Sequence, residues 1–475
     1  MLFNSVAFAV FFSAVLILTR LSPLSWQRVL LLLASFVFYG YWDWRFLPLL
    51  WTAIIIDYYA AHRIAPESGN SDADRKYWFA GCVIAQLAML GFFKYSNFVL
   101  GSVDSVFATL GWNSSQQHLD IILPLGISFY TFKTLTYTTD VYRGHLKPTR
   151  RLVDYALHVS FFPTIVAGPI ERAKNFLPQL LSLNRAAKEQ MLEGMHLILW
   201  GLFKKVFVAD NIALLVNQVF GKAEPSGFEA LIGAYGFALQ IFCDFSGYTD
   251  LARGCAKCLG IELSENFRQP YLALSPSDFW QRWHITLSTW LRDYIFLPLG
   301  GAFKSLPNAY RNLAITMTLA GLWHGASWTF VLWGVYWALL LIGHRILQPV
   351  MKHNGGWFRH HLPKTARKTI KILVTAQLVC FGWLLFRSES LGQVWTMTTS
   401  LLQWQGAVDL SLLLPLLKFG GLYLLVETAL MTVGIESVYR LPRSLVWIKT
   451  IVYAVLFYFT AFYGSGAETF IYAQF

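Results

Sequence analysis

Charge is scarce in this chain. Asp, Glu, Lys and Arg make up 13% of its 475 residues, against 56% for apolar types. A soluble domain carries about 25% charged residues, so the balance excludes an ordinary globular protein and sends much of the apolar surplus to lipid. Cysteine is sparse too. Five thiols are an odd number with no disulfide framework, and Cys255-Ala-Lys-Cys258, with no second pair or nearby histidine, reads as structural rather than as a zinc or redox site. Low-complexity linkers and internal repeats are absent, and the most polar loops, Arg63 to Lys76 and His344 to Lys371, are short for domains. Catalytic fingerprints are also missing: there is no Gly-x-Ser-x-Gly elbow, P-loop or dinucleotide-binding glycine pattern, and no HExxH or HxxxH metal site.

What is present is a series of apolar runs of roughly membrane-spanning length. They lie near 2–19, 29–61 (divisible at Asp43 to Pro48), 77–100, 119–140, 152–170, 191–220, 229–251, 312–345, 370–387, 411–434 and 445–463. This predicts an all-α polytopic membrane protein with about ten or eleven spans, in one membrane domain over 1–475. The first run lacks a basic leader region and a small-residue cleavage site, so it reads as a retained span, with Arg20 and Arg28 favouring an external N-terminus. The net charge of +12 sits in short groups between apolar runs, such as Arg150-Arg151, Lys204-Lys205 and Lys364 to Lys371. Such groups mark cytoplasmic loops beside anionic lipid headgroups, not a nucleic-acid footprint.

Two segments break the pattern. Leu263 to Lys304 mixes Arg268, Asp278, Arg282, His284, Arg292 and Asp293 with Trp280, Trp283 and Trp290. Spacing at 280, 283, 287, 290 and 291 gives one apolar helical face, with Asp278 and Arg282 four apart on another. This predicts an interfacial or re-entrant helix lining a polar cavity. Leu313 to Ile342 is instead too long, about 45 Å as one straight helix. A break or strong tilt is expected, most readily at Gly321 or Gly325-Ala326-Ser327, with His324 at the break.

Ionisable groups within a membrane face a cavity or a partner, which makes each a candidate for function. Here the set is Asp244, Asp250, His284, Asp293 and His324, with Arg282 and Arg292 as charge partners. His324 is either a buried base, since a neutral imidazole accepts a hydroxyl proton, or a core histidine bonded to a carbonyl; spacing alone does not choose. His284 shares a helix face with Ser288 at i+4, so the pair either hydrogen-bonds or lines one groove, while support of the cavity is the plainer role for His284. Asp244-Phe-Ser-Gly247-Tyr-Thr-Asp250 places a glycine between two carboxylates, as in a turn at a cavity mouth or a partly unwound span.

Six motifs resemble those of the membrane-bound O-acyltransferase superfamily, and within it the bacterial branch that acetylates alginate, peptidoglycan and cellulose. They are Leu123-Pro124-Leu-Gly-Ile-Ser-Phe-Tyr130, Phe162-Pro163 with Gly168-Pro169-Ile170, Asp244-Phe-Ser-Gly-Tyr-x-Asp250, Glu265-Asn-Phe-x-Gln-Pro-Tyr271, Phe279-Trp-x-Arg-Trp-His284-x-x-Leu-Ser-Thr-Trp-Leu-Arg-Asp293, and Leu322-Trp323-His324-Gly325. The resemblance implies a ring of transmembrane and re-entrant helices around a thin core, with the catalytic centre within about 120–345. It implies that His324 is the catalytic histidine, where a cytoplasmic tunnel meets an outer funnel, and His284 the second family histidine. Asp244, Asp250, Arg282, Ser288, Asp293 and Trp323 would line or support the cavity.

The tail, residues 464–475, contains Phe470-Ile-Tyr472-Ala-Gln-Phe475. It resembles a terminal signature of bacterial O-acylation systems in which the tyrosine relays the acyl group; otherwise Tyr472 is an interfacial anchor. The family reading further implies no bound cofactor and no metal, with acetyl-CoA as donor substrate. It implies a bacterial inner membrane, surrounding lipid, a serine-hydrolase-like (SGNH) acetyltransferase partner outside, and a polysaccharide acceptor. Alginate-type polymer is favoured, with peptidoglycan or cellulose as alternatives. The rival from another class is a secondary transporter, which mid-membrane charges favour and the missing inverted repeat does not.

Overall fold

The computed structural model describes residues 1–112, 119–302, 305–354, 362–433, 439, 441–464 and 471. Every regular element among them is helical. Contacts divide the chain into two compact units, Met1–Ile198 with Thr249–Ser264, and Leu199–Tyr248 with Glu265–Phe475.

Five helices among the described residues are long and apolar enough to cross a membrane, with two shorter apolar ones, Val6–Leu21 and Val446–Phe462. The run at 29–61 divides at the expected place into Leu24–Asp43 and Leu47–Ile64, joined by a single turn at Trp44–Phe46. Other runs resolve into shorter pieces. The 152–170 run forms Leu152–Ser160 and Phe162–Ile165, and the 191–220 run is interrupted by a π-helix at Phe203–Ala209.

In the first unit, lipid-facing helices gain nothing from burying apolar faces against one another, so polar ties between them count for more. Asp57, on Leu47–Ile64, accepts hydrogen bonds from Cys82 and Gln86 of Asp72–Thr109 and from Tyr155 of Leu152–Ser160, at 2.8, 2.9 and 2.7 Å. Lys133, on Ile127–Tyr142, donates to the carbonyl of Val159 at 3.2 Å and to the Thr164 hydroxyl at 2.7 Å. Asp154 pairs with Arg28 at 3.0 Å.

The second unit holds the overlong run and, from Glu265 onward, the other anomalous segment. The overlong run is two helices, Leu306–His324 and Trp328–Asn354, and the chain is extended at Gly325 (φ −164°, ψ 152°). The first helix is capped by Ser305, which accepts from the Asn308 N–H, with Pro307 in the first turn. The helices pack through glycine: a Cβ at Gly321 would lie 2.2 Å from the Phe330 carbonyl oxygen, and one at Gly334 2.5 Å from that of Met317. The Leu263 to Lys304 segment is not one helix. It forms Pro276–Trp280 and Ile285–Leu291, broken at His284, then a π-helical turn at Arg292–Phe296.

Candidate active site

Two backbone devices fix the histidines. His324 is the last residue of Leu306–His324, immediately before the extended Gly325, where a Cβ would collide with the Phe330 ring. His284 adopts the left-handed conformation (φ 42°, ψ 56°) as the residue preceding Ile285–Leu291. That conformation costs a residue with a Cβ roughly 1–2 kcal/mol, and strain of this kind concentrates at functional sites. Both side chains are buried.

Trp323 stands between them. Its ring centroid is 5.9 Å from that of His284 and 4.9 Å from that of His324. On its other sides His324 meets Trp333 edge-on at 4.9 Å and Phe386 at 5.2 Å, while His284 meets Phe245 edge-on at 4.6 Å. The structure thus joins His284, Trp323 and His324, which lie 40 residues apart in sequence, in one aromatic chamber. Burial pushes the His284 imidazole below its ordinary value, keeping it neutral at physiological pH. Four buried indole N–H groups, those of Trp280, Trp333, Trp337 and Trp383, have no acceptor among the described residues.

A cavity of about 520 Å³ opens beside this chamber, lined by Lys205, Asp210, Asp244, Gln240, Phe330 and Phe386 among others. Phe386 belongs to both, so one aromatic ring separates His324 from the cavity. In the cavity wall the Lys205 ammonium lies 2.7 Å from carboxylate oxygens of both Asp210 and Asp244, and all three side chains are at most 2% exposed. The adjacent Lys204 donates to the Ser246 hydroxyl at 3.0 Å.

Several expected placements are corrected. Lys204 and Lys205 are not loop charges; the π-helix carries them into the protein, where carboxylates and a hydroxyl receive them. The segment from Asp244 to Asp250 is neither a turn nor unwound but continuous helix within Gly227–Cys258. Gly247 is there for close packing, since a Cβ would lie 2.9 Å from the Gly201 carbonyl oxygen. Ser288 does not hydrogen-bond the His284 ring in the described geometry. Its hydroxyl donates to the Trp283 carbonyl at 3.1 Å, and its N–H to the His284 carbonyl at 2.9 Å.

Asp278 and Arg282 form the expected i+4 pair at 2.7 Å. Asp293 pairs with its neighbour Arg292 at 2.6 Å. Asp250 falls in the first unit and lies 3.7 Å from Arg253. Tyr472 lies outside the described residues. Among the described residues no group of three or more His, Cys, Asp or Glu side chains is arranged to hold a metal ion. Lys205 is the residue that sequence reasoning missed; the signal was a lysine deep inside the 191–220 apolar run with an aspartate five residues on.

Residues 149–385 match the MBOAT, membrane-bound O-acyltransferase, family. The protein named "Probable alginate O-acetylase AlgI" from Azotobacter vinelandii is 37% identical over 84% of this chain and 77% of its own length. The chain belongs to the membrane-bound O-acyltransferase family. The "Peptidoglycan O-acetyltransferase" of Helicobacter pylori is 35% identical over 77% of this chain and 71% of that protein. The "Teichoic acid D-alanyltransferase" of Bacillus subtilis is 29% identical over 72% and 83%. As a member of this family the chain is a multi-pass, all-α membrane O-acyltransferase, and the transporter reading falls away.

Proposed function

We propose that this acyltransferase moves an acetyl group from a cytoplasmic thioester, acetyl-CoA, across a bacterial inner membrane for O-acetylation of an extracytoplasmic polysaccharide of alginate type. The observation that carries the reading is the burial of His324 at a helix terminus, flanked by Trp323, Trp333 and Phe386, with His284 across Trp323. The relatives named as alginate O-acetylases support the acetyl group and the acceptor class. Peptidoglycan is the second reading, favoured by the Helicobacter pylori relative; cellulose has only the motif resemblance behind it.

The chemistry needs one base and a dry chamber. His324 accepts the proton of an attacking hydroxyl as its oxygen bonds to the thioester carbonyl carbon. The tetrahedral oxyanion collapses, the C–S bond breaks, and the imidazolium returns its proton to the departing thiolate. Indole N–H groups with no acceptor among the described residues, that of Trp333 nearest His324, are suited to stabilise the oxyanion. The attacking hydroxyl is that of Tyr472, or of a serine on an SGNH-type partner outside the membrane. Only the acetyl group then passes to the outer side.

His324→Ala tests the assignment. The variant should be recovered folded from the membrane and leave the polymer without O-acetyl groups. Wild-type acetyl content in that strain would sink it. Tyr472→Phe tests the relay separately: transfer at the wild-type rate would make the tyrosine an anchor.

A further inference from the structure

The Lys205, Asp210 and Asp244 cluster holds two carboxylates and one ammonium within the second unit. Ionised, this set has one negative charge in excess, and a buried charge needs further hydrogen-bond donors. One comes from the far end of the chain. The backbone N–H of Ile471 donates to Asp244 Oδ2 at 2.9 Å, across 227 residues of sequence, and Ile471 is itself buried in the cavity wall.

A second tether lies a few residues earlier. Asn211 Nδ2 donates to the Tyr463 carbonyl at 2.9 Å, and a Cβ on Gly464 would lie 2.6 Å from Val206. The π-helix Phe203–Ala209 and the turn that follows it make the second tether through Val206 and Asn211, and Lys205 of the same π-helix pairs with Asp244 of the first. π-Helical turns occur preferentially where side chains must be aimed for function.

We propose that the Lys205, Asp210 and Asp244 triad is a receptor for the chain's own C-terminal tail. Asp244 is its positioning residue, fixing the backbone in the cavity wall one residue before Tyr472. Lys205, which also pairs with Asp210, orients Asp244, so that its second oxygen acts as an acceptor for a peptide N–H. A charge-assisted bond of this kind is about twice as strong as a neutral one, and it reads the tail's main chain rather than its side chains. The proposal deepens the relay reading, because it gives the tyrosine a fixed neighbour, but the clamp itself does not require Tyr472 to be acylated.

The test uses the full-length enzyme in membrane vesicles. All five native cysteines are buried, so Ile471→Cys introduces a thiol whose reaction with a maleimide reports release of the tail, and its backbone N–H is retained. With Asp244 intact the thiol should react slowly; adding Asp244→Ala should speed it about tenfold, the loss of one hydrogen bond to a charged group. An unchanged labelling rate in the folded double variant overturns the clamp.

Should Asp244→Ala fail to fold, Ile471→Pro leaves every triad side chain in place and removes the N–H, with the isoleucine side chain controlled for by Ile471→Ala. The proline variant should cut acetyl transfer about tenfold without changing the donor KM, while Ile471→Ala transfers normally. Where Tyr472→Phe abolishes transfer, full transfer by the proline variant overturns the proposal. The relay is decided elsewhere. Combined with Ile471→Cys, Tyr472→Phe should leave the introduced thiol as slow to label as before, so an active Tyr472→Phe enzyme with a protected thiol would refute the relay and leave the clamp standing.

Discussion

Gly321 offers a measurement in which geometry and function are tied by a short chain of contacts. A Cβ at this position would sit 2.2 Å from the Phe330 carbonyl oxygen and 3.1 Å from both the Cα and the N of Gly334. All three atoms are backbone of the facing helix, so no side chain can turn aside. Relief requires the two helices to part by about 1 Å, and overpacking on this scale costs about 1–3 kcal/mol. The displaced backbone carries the Phe330 ring, which lies 4.9 Å from Phe386, which lies 5.2 Å from His324. His324 itself is three residues beyond the substitution. A shift of about 1 Å in a reacting group lowers the rate about 100-fold, so Gly321→Ala should lose most acetyl transfer while remaining in the membrane.

Gly343 is the internal control. It lies in the second helix of the same hairpin with nothing within 4 Å of its added Cβ, and Gly343→Ala should be neutral or gain up to about 1 kcal/mol from helix propensity. The assay is transfer of labelled acetyl groups to polymer in membranes matched for enzyme content, with gel filtration in detergent to report folding. A monodisperse Gly321→Ala enzyme with wild-type transfer would refute the argument that this hairpin contact sets the position of His324.

Other substitutions probe the remaining parts of the second unit. Lys205→Met leaves Asp210 and Asp244 without their shared cation and should destabilise the protein by about 3–5 kcal/mol, read as a lowered unfolding temperature in detergent. Trp333→Phe keeps an aromatic ring against His324 but removes one indole N–H; if that group stabilises the oxyanion, transfer should fall about 100-fold or more at unchanged stability. Ser288→Ala breaks only the bond to the Trp283 carbonyl and should cost about 1 kcal/mol of stability, with transfer within a few-fold of wild type.

Features governed by local spacing were legible in the sequence. The overlong apolar run at 313–342 required a break, and Gly325 to Ser327 supplied it; the Asp278 and Arg282 pair followed from i+4 geometry. Features governed by distant contacts were not. Lys204-Lys205 looks like a topology signal because two of its three partners, Asp244 and Ser246, lie some 40 residues away, and no periodicity records that meeting. Gly247 was misread for a related reason. Between two carboxylates a glycine suggests a turn, whereas its actual partner is the backbone of Gly201 and Lys205, which only the packed helices reveal. The aromatic chamber was half visible: both histidines and Trp323 were singled out, but Phe245, Trp333 and Phe386 join them from separate helices.

The π-helix at Phe203–Ala209 gives this region an unusual response to changes in chain length. A π-turn amounts to an α-helix carrying one inserted residue. Removing one residue between 203 and 209 would let the segment relax to α-helix with the downstream helix keeping its phase, whereas the same deletion within a flanking α-helix turns everything downstream by about 100°. A deletion between 206 and 209 would set Lys205 and Asp210 four apart on one α-helical face, where they can still pair, and would leave Asn211 beside the Tyr463 carbonyl. A one-codon deletion between 206 and 209 should therefore be tolerated better than one in the α-helices on either side, and a deletion scan across 191–220 would show the π-helix as a window of retained folding.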